Sequence, residues 1–458
     1  MRLIVLGITL LLSISGLRAQ LSPAITSWLQ NTTETGSYYM AGNSTAIGNG
    51  ILVNCQEVEY SAGNVYISTK GVPSYPTGPF QDGNPSQAQN QNAIFKFPLN
   101  PQQNTGTLTA TTGGNIGVFI NGVALFDYRD GVAWNSNTNA LCGGPGNPQC
   151  PGGPGASMPW NRDAVPAERP GFDCSKGHPA MGNYHHHQNP SAFKLDKNII
   201  STVCNLYDAD GLYVIDTTQH SPLIGFAYDG FPIYGAYSYK NTNGTGGFTR
   251  MKSGYQLRNI TTRTTWADGT DVADGPAVGG TYFLGYFRED YEFIAHPNDP
   301  DYLDVHNGRF CITPEYPNGT YAYFCTVDAN HNSAYPYAVG PTFYGVYANR
   351  KVTSVSEATT IYTPEVSGLA AAKMSTLNIS VFPNPTADII AVQANGLVKD
   401  DLHAALYDLS GKLMATSKIN KGQTITYFDA QTLYEGTYLV KIYNADETMI
   451  KKIVIARN

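Results

Sequence analysis

Apolar residues in this chain come in short runs, and Gly, Pro, Asn or Asp interrupts each run after a few positions. NVYIST (64–69) reads as one short strand. IGVFINGVALFDY (116–128) gives two apolar strands around Asn121-Gly122, and Asn-Gly between apolar runs is a strong hairpin signal. GLYVID (211–216) and PLIGFAYDGFPIYGAYSY (222–239) continue the style, and 281–347 repeats it with many Tyr and Phe. Few stretches carry the 3.6-residue period and caps of a helix. Residues 142–172 form a Gly/Pro/Trp loop region without periodicity, and a loop this long inside a domain is often functional. The pattern predicts a mainly β protein: a large Tyr/Gly-rich β domain with long loops, followed by a small C-terminal β-sandwich.

The two ends of the chain differ from the middle. MRLIVLGITLLLSISGLRAQ opens with Arg2 and an apolar run too short to span a bilayer. It predicts a signal peptide over 1–19, cut after Ala19. No Cys follows that cut, so a lipid anchor there is not expected, and no later stretch approaches the ~20 apolar residues of a transmembrane segment. The large domain is then expected over 20–350 and a linker of small residues over 351–376. From 377 to 458 come short, regularly spaced strands with turn signals, including a hairpin turning at Leu409-Ser410-Gly411, which suggests a β-sandwich.

That last unit resembles the type IX secretion C-terminal sorting domain over its whole length. The matching pieces are Val381-Phe382-Pro383-Asn384-Pro385-Thr386, the Tyr407-Asp408-Leu409-Ser410-Gly411 turn, Gly436-Thr437-Tyr438-Leu439-Val440 and a Lys-bearing final strand. The resemblance implies the type IX secretion machinery as partner and a secreted or outer-membrane-surface location.

Composition sharpens the picture. Of 458 residues only 14% are charged, well below the roughly 25% of an average soluble protein, while 31 Tyr, 47 Gly and 28 Pro favour strands and turns. The net charge of −7, with no long basic run, argues against a nucleic-acid partner. Seven cysteines suit an oxidising compartment. Cys142 and Cys150 bracket a tight Gly/Pro loop and are expected to bond. Cys311 and Cys325 lie symmetrically about a turn placed at Pro317-Asn318-Gly319, which predicts a bond across that hairpin. Cys174 and Cys204 pair by default, leaving Cys55 free.

Candidate chemistry concentrates in GFDCSKGHPAMGNYHHHQNP (171–190), which holds His178, His185, His186 and His187. Neutral imidazole is the commonest protein ligand for transition metals such as copper or zinc. On a strand, side chains alternate faces, so His185 and His187 point one way and His186 the other, toward solvent or into packing. His178 can return through the turn at 179–183 as a third ligand. Asp229, in an apolar Tyr-Asp-Gly turn, and Glu315, between two prolines, are the candidate carboxylate partners, because buried carboxylates are rarely left unpaired. The competing reading makes His185 and His187 core residues bonded to backbone or carboxylate, and Asp229 and Glu315 acceptors for turns. Catalysis by the histidines without metal is a third reading.

The region resembles the YHYH family, its signature here reading Tyr184-His185-His186-His187 with His in the third position. The resemblance extends over roughly 115–345, through Asp173-Cys174, Gly177-His178-Pro179, GFAYDGFPIYG (225–235), Leu303-Asp304, Asn307-Gly308-Arg309 and the 313–321 segment. It implies no settled activity. Three function classes remain: a secreted metal-binding protein, a metal-dependent hydrolase with Glu315 or Asp229 as base, and an adhesion module whose exposed tyrosines stack on surface glycans. No G-x-S-x-G elbow, H-E-x-x-H helix or P-loop occurs.

Overall fold

Short strands dominate the computed structural model, which describes residues 21–80, 87–152, 158–191, 211–364, 379–394, 396–398, 400–408, 412–444 and 448–457. The chain divides into two units, 1–363 and 364–458. The expected signal peptide, 1–19, lies outside the described residues.

The large unit is organised on an eight-stranded sheet. Its strands, in chain order, are β1 (Asn115–Phe119), β2 (Ala124–Phe126), β3 (Gly177–Ala180), β4 (Asn183–His186), β5 (Leu223–Ala227), β6 (Pro232–Tyr234), β7 (Gly308–Cys311) and β8 (Thr320–Phe324). Their order across the sheet is β3-β4-β2-β1-β5-β6-β8-β7. The pairs β2/β4 and β6/β8 are parallel and the rest antiparallel. Parallel neighbours need long connections, and these are 127–176 and 235–307, which carry small sheets of their own among their described residues. A second sheet of five strands contributes Val58, Val65, Ile67, Phe95 and Phe97 to the same core as Val118, Phe119, Phe226 and Ile233. Two of its strands, Lys351–Val352 and Thr360–Ile361, come from the stretch expected to be linker. Backbone pairing therefore carries the large unit past 350, and residues 365–376 lie outside the described residues.

The hairpin at Asn121-Gly122 forms as expected, with Gly122 at φ +76°, where a Cβ would lie 2.1 Å from Thr69 Oγ1. The C-terminal unit has one sheet of three strands and one of four, with Ile390, Val392, Leu406, Val440, Ile442 and Ile453 in a shared core. Strands Leu402–Asp408 and Leu413–Ile419 pair across the expected turn, whose residues 409–411 lie outside the described set.

The disulfides need one correction. Cys142 and Cys150 are bonded. Cys174 is disulfide-bonded, but its expected partner Cys204 lies outside the described residues. Cys311 and Cys325 are not bonded: both are free and buried, as is Cys55. The hairpin register pairs Gly308 with Tyr323 and Cys311 with Thr320. Its centre therefore lies earlier than Asn318, and Cys325 falls past the strand end, where its N–H donates to the Tyr234 carbonyl. Burial raises all three thiol pKa values, that of Cys325 to about 12. Alkylation without reductant should therefore spare all three in native protein and label them in denaturant. A Cys311–Cys325 cross-linked peptide on mapping would overturn this assignment.

Candidate metal centre

A backbone turn sets up the histidine hairpin. Asp173 accepts from Ser175 N at 2.9 Å and Gly177 N at 3.1 Å, and Lys176 sits at φ +63°. Tyr184 Oη donates back to Asp173 at 2.9 Å, packing so close that a Cβ on Gly177 would lie 2.4 Å from that oxygen. Strand β3 then runs back along β4, and His178 stands directly across from His185.

The period-two alternation of β4 decides which rings meet. His185 and His187 project to one side, their Nε2 atoms 3.0 Å apart. His178, His185 and His187 offer ligand atoms that all lie within 4.8 Å of one another, and all three residues are buried. His186 points the other way, but not to solvent. It is fully buried, with Nδ1 at 3.1 Å from the Lys176 carbonyl and Nε2 at 2.9 Å from Tyr75 Oη. Burial drives its pKa down to about 3.

The carboxylate beside the three rings is Glu168, not Asp229 or Glu315. Glu168 ends the short helix Ala164–Glu168, whose N-terminus is capped by Asp163 accepting from Val165 N. Its Oε2 lies 3.2 Å from His178 Nε2 and 3.1 Å from His187 Nε2. Asp229 instead takes Phe231 N, Gly345 N and Tyr323 Oη, and Glu315 takes Tyr234 Oη at 2.8 Å. Both carboxylates are thus held by the β5–β8 half of the sheet. The sequence signal for Glu168 was an Asp cap followed by helix-compatible residues in what otherwise reads as loop.

Hydrogen-bond direction makes this cluster unusual. His185 Nδ1 lies 2.8 Å from the Asn183 carbonyl, and His187 Nδ1 lies 2.6 Å from the Asp127 carbonyl. A carbonyl only accepts, so both Nδ1 atoms carry hydrogen, and in the neutral rings both Nε2 atoms are bare lone pairs. Two lone pairs thus face each other, with a carboxylate oxygen beside them. Among the described residues, Glu168 Oε2 and both ring nitrogens of His178 are buried and make no well-aligned hydrogen bond, so the 3.1–3.2 Å approaches of Glu168 to His178 and His187 are close charge contacts. Phe126 stacks on His185 at 3.7 Å and Phe172 packs edge-on to His178 at 5.0 Å, so water is largely kept from the acceptors.

Electrostatics follow from that packing. Burial, then the neighbouring His187 and His178, hold His185 well below the ordinary imidazole value of 6.5. Burial also opposes charge on His187, but Glu168 outweighs it and raises its pKa. Burial pushes Glu168 up, yet His178 and His187 together prevail and hold it below the usual carboxylate range. In the absence of any other cation, a proton on His187 is the positive charge that the cluster attracts.

Residues 380–456 match the secretion system C-terminal sorting domain, which makes this a secreted or outer-membrane-surface protein of type IX export. Among the described residues, no helix is long and apolar enough to cross a membrane. No curated protein matches the chain. Residues 94–335, more than half of the chain and spanning the whole eight-stranded sheet, match the family described as YHYH protein. The chain therefore belongs to the YHYH protein family, joined to a type IX sorting domain.

Proposed function

We propose that the large domain binds one transition-metal ion, copper or zinc, through His178, His185, His187 and Glu168. The supporting observation is the pair of facing Nε2 lone pairs, 3.0 Å apart, with Glu168 Oε2 3.1 Å from one of them. Facing acceptors of this kind favour a positive charge between them, either a proton on His187 or a metal ion that displaces it. Imidazoles that ligate a metal commonly donate their other N–H to a backbone carbonyl, as His185 and His187 do here. Three of the six donor separations, at 3.0–3.2 Å, come close to the edge of about 3.3 Å in a tetrahedron with ~2.05 Å zinc–nitrogen bonds, and the three imidazole donors lie within 4.8 Å of one another. Three imidazoles and a carboxylate fill four positions, which supports binding over a hydrolase with an open site.

Elemental analysis of the purified mature protein tests this, with about one equivalent of copper or zinc expected. Protons compete with metal for the same lone pairs. His187, with its pKa above 6.5, carries the proton that an ion displaces, so retention should weaken as pH falls through that raised value. The metal-free protein should show the opposite sign. There, the His187–Glu168 pair contributes stability that is complete below the unfolded imidazole value and is lost as pH rises through the raised one. A metal-free preparation that takes up neither ion, with His187 protonated in nitrogen NMR, would favour the packed-core reading.

A further inference from the structure

The eight-stranded sheet reads the same from either edge, and its two halves match in strand order, direction and local sequence about the β1/β5 seam. Ile116-Gly117, the Asn121-Gly122 turn and Leu125-Phe126 reappear as Ile224-Gly225, the Asp229-Gly230 turn and Ile233-Tyr234. Corresponding bonds agree in length: Val123 N to Asn121 Oδ1 and Phe231 N to Asp229 Oδ1 are both 3.2 Å. At the seam, Ile120 N to Ile224 O and Tyr228 N to Ile116 O are both 2.8 Å, the exchange expected of a local twofold.

The histidine hairpin has its counterpart too. Asp304 accepts from His306 N, Gly308 N and Tyr321 Oη, as Asp173 does from Ser175 N, Gly177 N and Tyr184 Oη. Arg309 pairs with Ala322 where His178 pairs with His185, and Phe324 lies beside Tyr234 at the position of His187. The three imidazoles are thus replaced by Arg, Ala and Phe. The Arg309 guanidinium lies over the Phe324 ring at 5.7 Å. It donates to Ser238 Oγ and to the carbonyls of Tyr239, Lys240 and Pro300.

We infer that both halves are built around one cation position, which Arg309 fills covalently in the second half, and that the ion of the first half is a clamp with the same task. This rests on the metal-binding reading above. In each half, a long connection must be tied down beside a parallel strand pair. In the second, the guanidinium gathers oxygens from the start of 235–307 and from near its end. In the first, His187 holds the Asp127 carbonyl at the start of 127–176, while Glu168 near the end turns its carboxylate to the rings. In the second half the two Nη groups of Arg309 take four oxygens, while its Nε has no partner among the described residues; in the first, His187 Nδ1 takes the Asp127 carbonyl and an ion joins that ring to Glu168.

Hydrogen exchange on the full mature protein tests the clamp. Removing metal with a chelator should speed exchange over 158–187 by roughly a hundredfold relative to protein held at 100 times its dissociation constant, and leave 238–240 and 300–311 unchanged. Arg309→Met should do the reverse, with metal content unaltered; if that variant does not fold, Arg309→Lys should fold with the same local loss in smaller measure. Metal that leaves without changing exchange over 158–187 overturns the clamp while the binding reading stands. Protein that never holds metal removes the binding reading, and the clamp with it. An Arg309→Met variant with unchanged exchange shows that the cation position of the second half holds nothing together.

Discussion

Alanine at both His185 and His187 is expected to bring bound metal from about one equivalent to background. The two substitutions remove the facing Nε2 donors and leave only His178, on β3, and Glu168, at the end of a short helix. Losing a group that merely orients a ligand costs roughly 10–100-fold in affinity, and losing two ligands must cost more. The hairpin should survive, since β4 keeps its backbone pairing with β3 and β2. His186→Ala is the matched control. It takes a fully buried ring from the opposite face, with its bonds to Lys176 O and Tyr75 Oη, so it should lower stability yet leave metal content intact. Elemental analysis of the variants beside wild type reads both outcomes. Full metal content in the double variant would remove the site.

The second large effect lies in the long connection of the second half. Arg263 and Asp290 are both fully buried and joined by two bonds of 2.7 Å. The guanidinium also donates to the Pro276, Tyr282 and Phe283 carbonyls and lies 5.0 Å over the Phe287 ring. Asp290 in turn accepts from Gly285 N and Phe287 N. Arg263→Met keeps much of the side-chain volume but strands a buried carboxylate, which should cost about 3–5 kcal/mol. Urea unfolding followed by tryptophan fluorescence is the measurement, because all four Trp lie in the large unit. The double variant Arg263→Met, Asp290→Asn should recover part of the loss. A single variant as stable as wild type would mean that the pair is dispensable.

Period-two patterning carried the sequence reading where it succeeded. It put His185 and His187 on one face, and Asn121-Gly122 marked its hairpin because a left-handed turn between apolar runs has few other sequences. Register across longer turns was less legible. The segment between Cys311 and Thr320 holds two prolines and a Thr313–Tyr316 turn, so its centre cannot be read off by counting to Asn-Gly. Glu168 was hidden because a five-residue helix leaves too short a periodic trace. Asp229 looked like a ligand because it is a charge among apolar residues, but Tyr323 and two backbone N–H groups satisfy both of its oxygens. The likeness of the two halves was present in the sequence as Ile-Gly and Asn/Asp-Gly at matching offsets. It was masked because the positions that drew attention, the histidines, are those that differ between the halves.

The seam between β1 and β5 also bears on why both halves share one chain. Each half meets the other through main-chain bonds along a strand, with Ile120, Ile224, Ile116 and Tyr228 exchanging partners about the axis. One half alone would present that strand as a bare, sticky border. A half on its own would need a second copy to cover that border, so carrying both halves in one chain turns an encounter between molecules into a step within one.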